Sequence, residues 1–212
     1  MEGKNNVALV ETIVQETAWL QAAQNGDRHA FSLLVEAYAR PVYNLTYRML
    51  GNPQEAEDAA QETFLRAYQN LHRYDRNRSF ATWLLSIGAH YCIDRLRRRK
   101  LSVFSMDEEN DDGTTFEIAD ATSPDPEAES VKREDRDRLH ILLKDLDETD
   151  RAAIIMRYWY DYSEVEIAES LKLTVSAVKS RLHRARRSLA GMWQEEKPRA
   201  RAERRAYESP AF

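Results

Sequence analysis

Between Thr174 and Ala190 the chain carries five lysines and arginines, Lys179, Arg181, Arg184, Arg186 and Arg187, and no acid. Cations mixed with short hydrogen-bond donors suit phosphates and base edges. At about 100° per residue, Ser176, Lys179, Ser180, His183, Arg184 and Arg187 fall on one side of a helix. Val178, Leu182, Ala185 and Leu189 form an apolar stripe on the other. Upstream, Ser163 and Glu166 have capping-box spacing at the start of a short helix ending near Leu171. Lys172-Leu173 then makes a brief turn, and Thr174 can cap the longer helix. Two helices so joined have helix-turn-helix spacing, which predicts contact with duplex DNA. A merely solvated cationic face is the plainer reading, but five cations without one acid, directly after that spacing, favour DNA.

A second basic cluster runs from Arg95 to Lys100, and a polar stretch from Arg73 to Arg78 precedes it. Catalytic patterns are missing from the sequence: there is no phosphate-binding glycine loop and no His-Glu-x-x-His metal spacing. The five histidines are scattered. Cys92 falls in an apolar helix face, where an inert buried thiol is expected. The sequence therefore predicts no enzyme and no cofactor.

The net charge of −5 over 212 residues at first argues against a nucleic-acid binder. Fields are screened beyond about 8–10 Å at physiological salt, so local charge decides. From Ser105 to Asp137 there are 13 acids against Lys132, Arg133 and Arg136, a net of −10. Two basic surfaces thus flank an acidic strap, whose pull on them at low salt would shield them. A single cysteine suits a reducing compartment, and no apolar run approaches the roughly 20 residues that span a bilayer. With no signal-peptide core at the N-terminus, the expectation is a cytoplasmic protein without membrane insertion.

Only six glycines and six prolines in the chain favour helices. Val10, Ile13, Val14 and Trp19 suggest a first helix. Phe31, Leu34, Val35, Tyr38, Val42 and Leu45 repeat at three and four residues, the buried face of a second that Gly51 ends. Asn52-Pro53-Gln54-Glu55 supplies a cap, a proline at the first helical position and an acid in the first turn. That helix carries Ala56, Ala60, Phe64 and Ala67. Ser79 can cap another, with Trp83, Leu84, Ile87 and Tyr91, reaching the Arg97–Lys100 run. Residues from 101 to 132, with Gly113, Ser123, Pro124 and Pro126, have a linker's composition. A second helical domain follows to Trp193, and residues 194–212 read as a disordered tail. The fold expected is all-α: two small helical domains, 1–100 and 133–193, joined by the acidic linker.

The run from Asp58 to Tyr68 resembles the polymerase-binding helix in region 2 of sigma-70 family factors. Phe80-Ala81-Thr82-Trp83-Leu84 and Ile93-Asp94-Arg95-Leu96-Arg97-Arg98 look like the rest of that region. Tyr162–Ala168 and Val178–Arg186 resemble region 4, and the short linker resembles the extracytoplasmic-function (ECF) group. The resemblance implies a transcription initiation factor whose partners are core RNA polymerase (β′ clamp helices and β flap) and promoter DNA. Because many relatives are silenced by an anti-sigma protein, such a protein joins the candidate partners.

Carried over by position, Asp58, Gln61, Glu62, Leu65 and Arg66 would face the polymerase. The same face on an ordinary surface helix would be unremarked. Tyr74, Asn77, Arg78, His90, Arg95 and Arg98 would serve the melted −10 element. Of these, Tyr74, Asn77 and Arg78 would contact an extruded base. Arg95, Arg97, Arg98, Arg99 and Lys100 would hold phosphates, while Phe80 and Trp83 fill the core beneath the loop. Ser176, Lys179, Ser180, His183, Arg184 and Arg187 would read the −35 element. Many relatives have Asn where this chain has His90, and proline where it has Asp147, so base preference does not transfer directly. The rival reading is a conventional helix-turn-helix regulator that binds DNA without polymerase.

Overall fold

The computed structural model describes residues 15–103, 138–139 and 141–207, which contain no β-strand. The acidic linker and the far N-terminus, with Val10, Ile13 and Val14, lie outside the described residues. Residues 15–24 form α1; α2 spans Arg28–Leu50, α3 Pro53–Asn70 and α4 Phe80–Val103. A 3₁₀ turn, Leu71–Arg73, leaves α3. In the second half, helical residues 138–139 and 141–144 form α5, followed by α6 (Glu148–Trp159), α7 (Glu164–Leu171) and α8 (Val175–Tyr207).

Local chemistry sets most boundaries. The Asp27 carboxylate accepts from the N–H of His29 at 2.8 Å and of Ala30 at 3.1 Å, satisfying orphan donors at the start of α2. Gly51 ends α2 at φ 77°, a left-handed conformation that side chains disfavour. One residue on, the Asn52 side chain accepts from the Glu55 N–H at 3.0 Å, with Pro53 at the first helical position. Ser79 caps α4 through the Thr82 N–H at 3.3 Å. Asp147 caps α6, its carboxylate accepting from the Thr149 N–H at 3.0 Å.

α2, α3 and α4 pack on one another around Leu34, Val42, Leu45, Met49, Leu84 and Leu85. α6, α7 and α8 enclose Ile155, Ile167, Val178 and Leu182. The two groups also touch, because α6 lies against α2 and α4, and α7 against α4. At that junction the Arg151 guanidinium, almost wholly buried, donates to the carbonyls of Met49 (2.5 Å), Lys144 (2.6 Å) and Leu146 (3.4 Å). Tyr160 donates its hydroxyl to the Pro41 carbonyl at 2.6 Å, and Arg48 lies over the Trp159 ring.

α8 continues to Tyr207, well past Trp193, whereas the sequence predicts an irregular tail from residue 194. Ala, Arg and Glu dominate that stretch and are strong helix formers, so helix propagation carries past Pro198. Among the described residues no helix is long and apolar enough to cross a membrane.

At Gly88 the first helical group leaves little room for a side chain. A Cβ there would meet Thr63 Oγ1 at 3.1 Å and Leu45 Cδ2 at 3.3 Å. Thr63 cannot easily give way, because its hydroxyl donates to the Ala59 carbonyl at 2.6 Å. Gly88→Ala should therefore destabilise the chain: about 1–3 kcal/mol of overpacking outweighs the roughly 1 kcal/mol gained in helix propensity. A urea melt checks this, and an unchanged or raised midpoint would show that the helices can move apart at no cost.

Candidate nucleic-acid and protein interfaces

The helix-turn-helix is built from local caps upward. Ser163 and Glu166 form a reciprocal capping box: the Glu166 N–H donates to Ser163 Oγ at 3.2 Å, and the Ser163 N–H donates to the Glu166 carboxylate at 2.8 Å. The Ser163 hydroxyl and N–H hold that carboxyl below its ordinary pKa. The cap's contribution is thus present above the ordinary carboxylate range and is lost as pH falls through the lowered value. Lys172 turns the chain in the left-handed region at φ 54°, and the Thr174 hydroxyl caps α8 through the Ala177 N–H at 3.1 Å.

α8 divides as its sequence pattern requires. Val178, Leu182 and Ala185 are buried, and Leu189 is half-buried against them. Ser176, Lys179, Ser180, His183, Arg184 and Arg187 are all exposed. Lys179 reaches Glu164 of the preceding helix at 3.6 Å, a surface pair easily exchanged for a phosphate. Arg181 turns inward instead. It bonds Asp150 at 2.5 Å and approaches Asp147 at 3.4 Å, fastening α8 to α6.

On α3 the residues Asp58, Gln61 and Leu65 are exposed, and Glu62 and Arg66 half-exposed, along one face. Leu65 leaves 51% of its surface in solvent, and Tyr68 is exposed a turn later. Arg66 is steadied by Glu62 at 2.7 Å and by the Tyr91 ring beneath it.

The loop before α4 departs from the sequence expectation at one residue. The resemblance implies that Tyr74 contacts a base, yet it is only 6% exposed. Its ring packs against Phe80 and Trp83, with centroids 5.5 Å and 5.0 Å away, and its hydroxyl donates to the Arg78 carbonyl. An amphipathic ring with neighbouring aromatics and a carbonyl within reach gains more from burial than from solvent. Tyr74 therefore shapes the loop from inside and is withdrawn from the base-contacting set. Asn77 and Arg78 remain exposed, the Asn77 N–H donating to Asp75 at 3.0 Å.

Along α4, His90 is half-buried with Nδ1 2.8 Å from the Ser86 carbonyl, and Arg98 is exposed. Arg95 is tied down, donating to Glu55 at 3.1 Å and to the Tyr91 hydroxyl at 3.4 Å. Two neighbouring cations turn to the second helical group. Arg97 donates to Thr149 Oγ1 at 3.1 Å, and Lys100 Nζ lies 2.5 Å from the buried Glu148 carboxylate. The sequence alone does not reveal this junction, with Glu148, Thr149, Arg151, Trp159 and Tyr160. Its only signal is an arginine, Arg151, amid an apolar helical stretch. Cys92 is fully buried, and burial pushes its thiol pKa up to about 12, which suits an inert core residue.

Comparison with known proteins follows the same division. The family model described as "Sigma-70 region 2" matches residues 34–101, and "Sigma-70, region 4" matches residues 136–189. The ECF RNA polymerase sigma factor SigW of Bacillus subtilis is 38% identical over 175 residues, covering 80% of this chain and 92% of the relative. The RNA polymerase sigma-H factor of Pseudomonas aeruginosa is 31% identical, covering 82% of this chain and 92% of the relative. Among solved structures, CnrH in complex with the cytosolic domain of CnrY superposes with a TM-score of 0.62 at 23% identity, covering 86% of this chain and 99% of that one. The RpoE structure with the anti-sigma factor NepR from Bartonella quintana gives 0.61 at 20% identity, covering 77% and 96%. At such identities these two structures establish the shared fold.

Tyr74→Phe tests the role given to that ring. It should lose about 0.5–1.5 kcal/mol of stability with the hydroxyl's bond, and change affinity for a single-stranded −10 oligonucleotide less than Asn77→Ala does. A larger loss of oligonucleotide affinity in Tyr74→Phe than in Asn77→Ala would return the ring to the interface.

Proposed function

The chain belongs to the sigma-70 family, in its ECF group, and from that premise we propose how its surfaces divide the work of promoter recognition. It is an RNA polymerase sigma factor: it binds core polymerase and directs transcription from promoter DNA. The bond-forming chemistry is left to the polymerase.

Residues 1–100 act as region 2 and residues 133–193 as region 4, joined by the acidic linker 101–132. The exposed α3 face, Asp58, Gln61, Glu62, Leu65 and Arg66, docks on the polymerase β′ clamp helices. An exposed leucine ringed by charges suits a helix-on-helix contact, since leaving it in water gains nothing. The loop residues Asn77 and Arg78 handle an extruded −10 base, with His90 and Arg98 further along α4. Arg95, Arg97, Arg99 and Lys100 take phosphates. On α8, Ser176, Lys179, Ser180, His183, Arg184 and Arg187 enter the −35 major groove, and region 4 also meets the β flap. The observation that carries this reading is the sorting of α8: all six expected readers are exposed on a helix whose opposite stripe is buried.

Arg97 and Lys100 are committed to Thr149 and Glu148, so the two regions sit closed upon each other. Full engagement of the promoter requires α6 to release them, and binding to core polymerase supplies the free energy for that separation. An anti-sigma protein is a further proposed partner, since the solved neighbours include a sigma factor held by one. A conventional helix-turn-helix regulator would not need the exposed Leu65 face.

Transcription in vitro with purified core polymerase over a genomic promoter library should give start sites absent with core alone. Leu65→Ala combined with Gln61→Ala should reduce them severalfold while leaving the melting temperature of the free chain unchanged. Start sites indistinguishable from the core-only background would overturn the reading.

Lys179→Ala and Arg184→Ala separate two kinds of DNA contact. A base reader should cost about 1–3 kcal/mol of −35 discrimination, whereas a phosphate contact should reduce the salt slope of binding by about one. A variant with both quantities unchanged would remove that residue from the interface.

A further inference from the structure

Between the two regions lies a cavity of about 430 Å³, a size that suits a small molecule. It is lined from both sides: Asn44 and Arg48 come from α2, Ala81 from the start of α4, and Trp159, Tyr160 and Tyr162 from the end of α6 and the turn after it. Domain interfaces are where such pockets preferentially occur.

Arg48 leaves most of its hydrogen-bonding capacity unused among the described residues. Arg48 is half-buried and stacks over the Trp159 ring at 5.2 Å. Of its five N–H donors one is engaged, Nη1 donating to the Asn44 carbonyl at 3.0 Å. Among the described residues it forms no ion pair, and burial pushes its pKa down, offset only in part by Tyr160. A guanidinium partly withdrawn from water gains from a carboxylate placed beside it. Tyr162 contributes its ring to the wall, its hydroxyl being buried away from the cavity. A half-buried cation that pairs with no carboxylate among the described residues, and three aromatic walls, describe a complementary ligand.

We propose that this cavity binds a small aromatic carboxylate, whose carboxyl pairs with Arg48 and whose ring lies against Trp159 and Tyr160. Neither region alone forms the site, so the ligand binds the closed arrangement and stabilises it by mass action. Reciprocally, whatever separates the regions expels the ligand. This rests on the sigma-factor reading only for its consequence, a ligand that opposes promoter engagement; the binding itself does not depend on it.

The test uses the full chain with indole-3-acetate and its uncharged analogue indole-3-acetamide. Saturation-transfer NMR and thermal melting should show the acid binding and raising the melting temperature. The amide should bind at least about tenfold more weakly, the worth of one charge-assisted hydrogen bond. Arg48→Met should abolish binding of the acid. Ala81→Phe, which fills the mouth and keeps the guanidinium, should do the same and guards against misfolding of the first variant. No binding at millimolar concentration, equal binding of acid and amide, or binding unaffected by Ala81→Phe would each overturn the proposal. In run-off transcription the acid should inhibit the wild type and not Ala81→Phe, and equal inhibition of both would overturn the closed-state lock. A chain that directs no transcription at all would instead defeat the sigma-factor reading, while the direct binding data still decide the cavity.

Discussion

The arrangement of the two regions turns on one buried cation. Among the described residues Arg151 forms no ion pair; its guanidinium is shared among three main-chain carbonyls, those of Met49, Lys144 and Leu146. Met49 lies in the last turn of α2, where helical carbonyls have no intrahelical partner and the dipole favours a positive charge. A single side chain on α6 thus completes a helix end in the other region. Burial pushes its pKa down, with Glu148 and the nearby acids Asp145 and Asp147 opposing the shift, and an arginine keeps its proton regardless. Without that cation the Met49 and Leu146 carbonyls would lose a buried donor, at about 1–3 kcal/mol each.

On the proposed function such a junction must both hold and open. Polar and aromatic contacts span it, Tyr160 to the Pro41 carbonyl, Arg48 over Trp159, Arg97 to Thr149 and Lys100 to Glu148, beside buried apolar residues of both regions that form one continuous cluster. Interfaces of this kind between domains of one chain are compatible with relative motion. The same cations that stitch the regions together are those with which a nucleic-acid backbone would compete. In water either partner satisfies Lys100, and the exchange costs little on the exposed side of the pair. Glu148, by contrast, is buried, so losing Lys100 leaves a desolvated carboxylate unless α6 moves into solvent with it. Separation of the regions and release of their cations are therefore one event in physical terms.

Rigid scaffolding and exposed chemistry are kept on different residues. Along α8 the buried stripe and the Arg181–Asp150 pair fix the helix, leaving the opposite side chains free to adapt to a groove. Before α4, Tyr74, Phe80 and Trp83 make an aromatic base on which Asn77 and Arg78 are displayed. On α3, buried Ala56, Ala59, Ala60, Thr63 and Ala67 let the helix lie close to its neighbours and turn Leu65 outward. Tyr68 is exposed a turn after Leu65, so two large apolar groups share the outer face of α3.

Much of this was legible in the sequence because it is local. Capping at Asn52, Ser79, Ser163 and Thr174, the stop at Gly51 and the two faces of α8 depend on residues within a turn or two of one another, so composition and spacing determined them. The sequence likewise determined the family, through motifs in both regions. Tyr74 escaped it, because whether an aromatic ring faces a ligand or the core depends on Phe80 and Trp83 folding beneath it. Arg151 and the interregional cavity escaped it for a stronger reason. Arg151 lies 102 positions from the Met49 carbonyl it completes, and Tyr160 lies 119 from Pro41. No periodicity encodes such pairings: main-chain carbonyls carry no side-chain signature, and only tertiary packing decides which of them a distant side chain reaches.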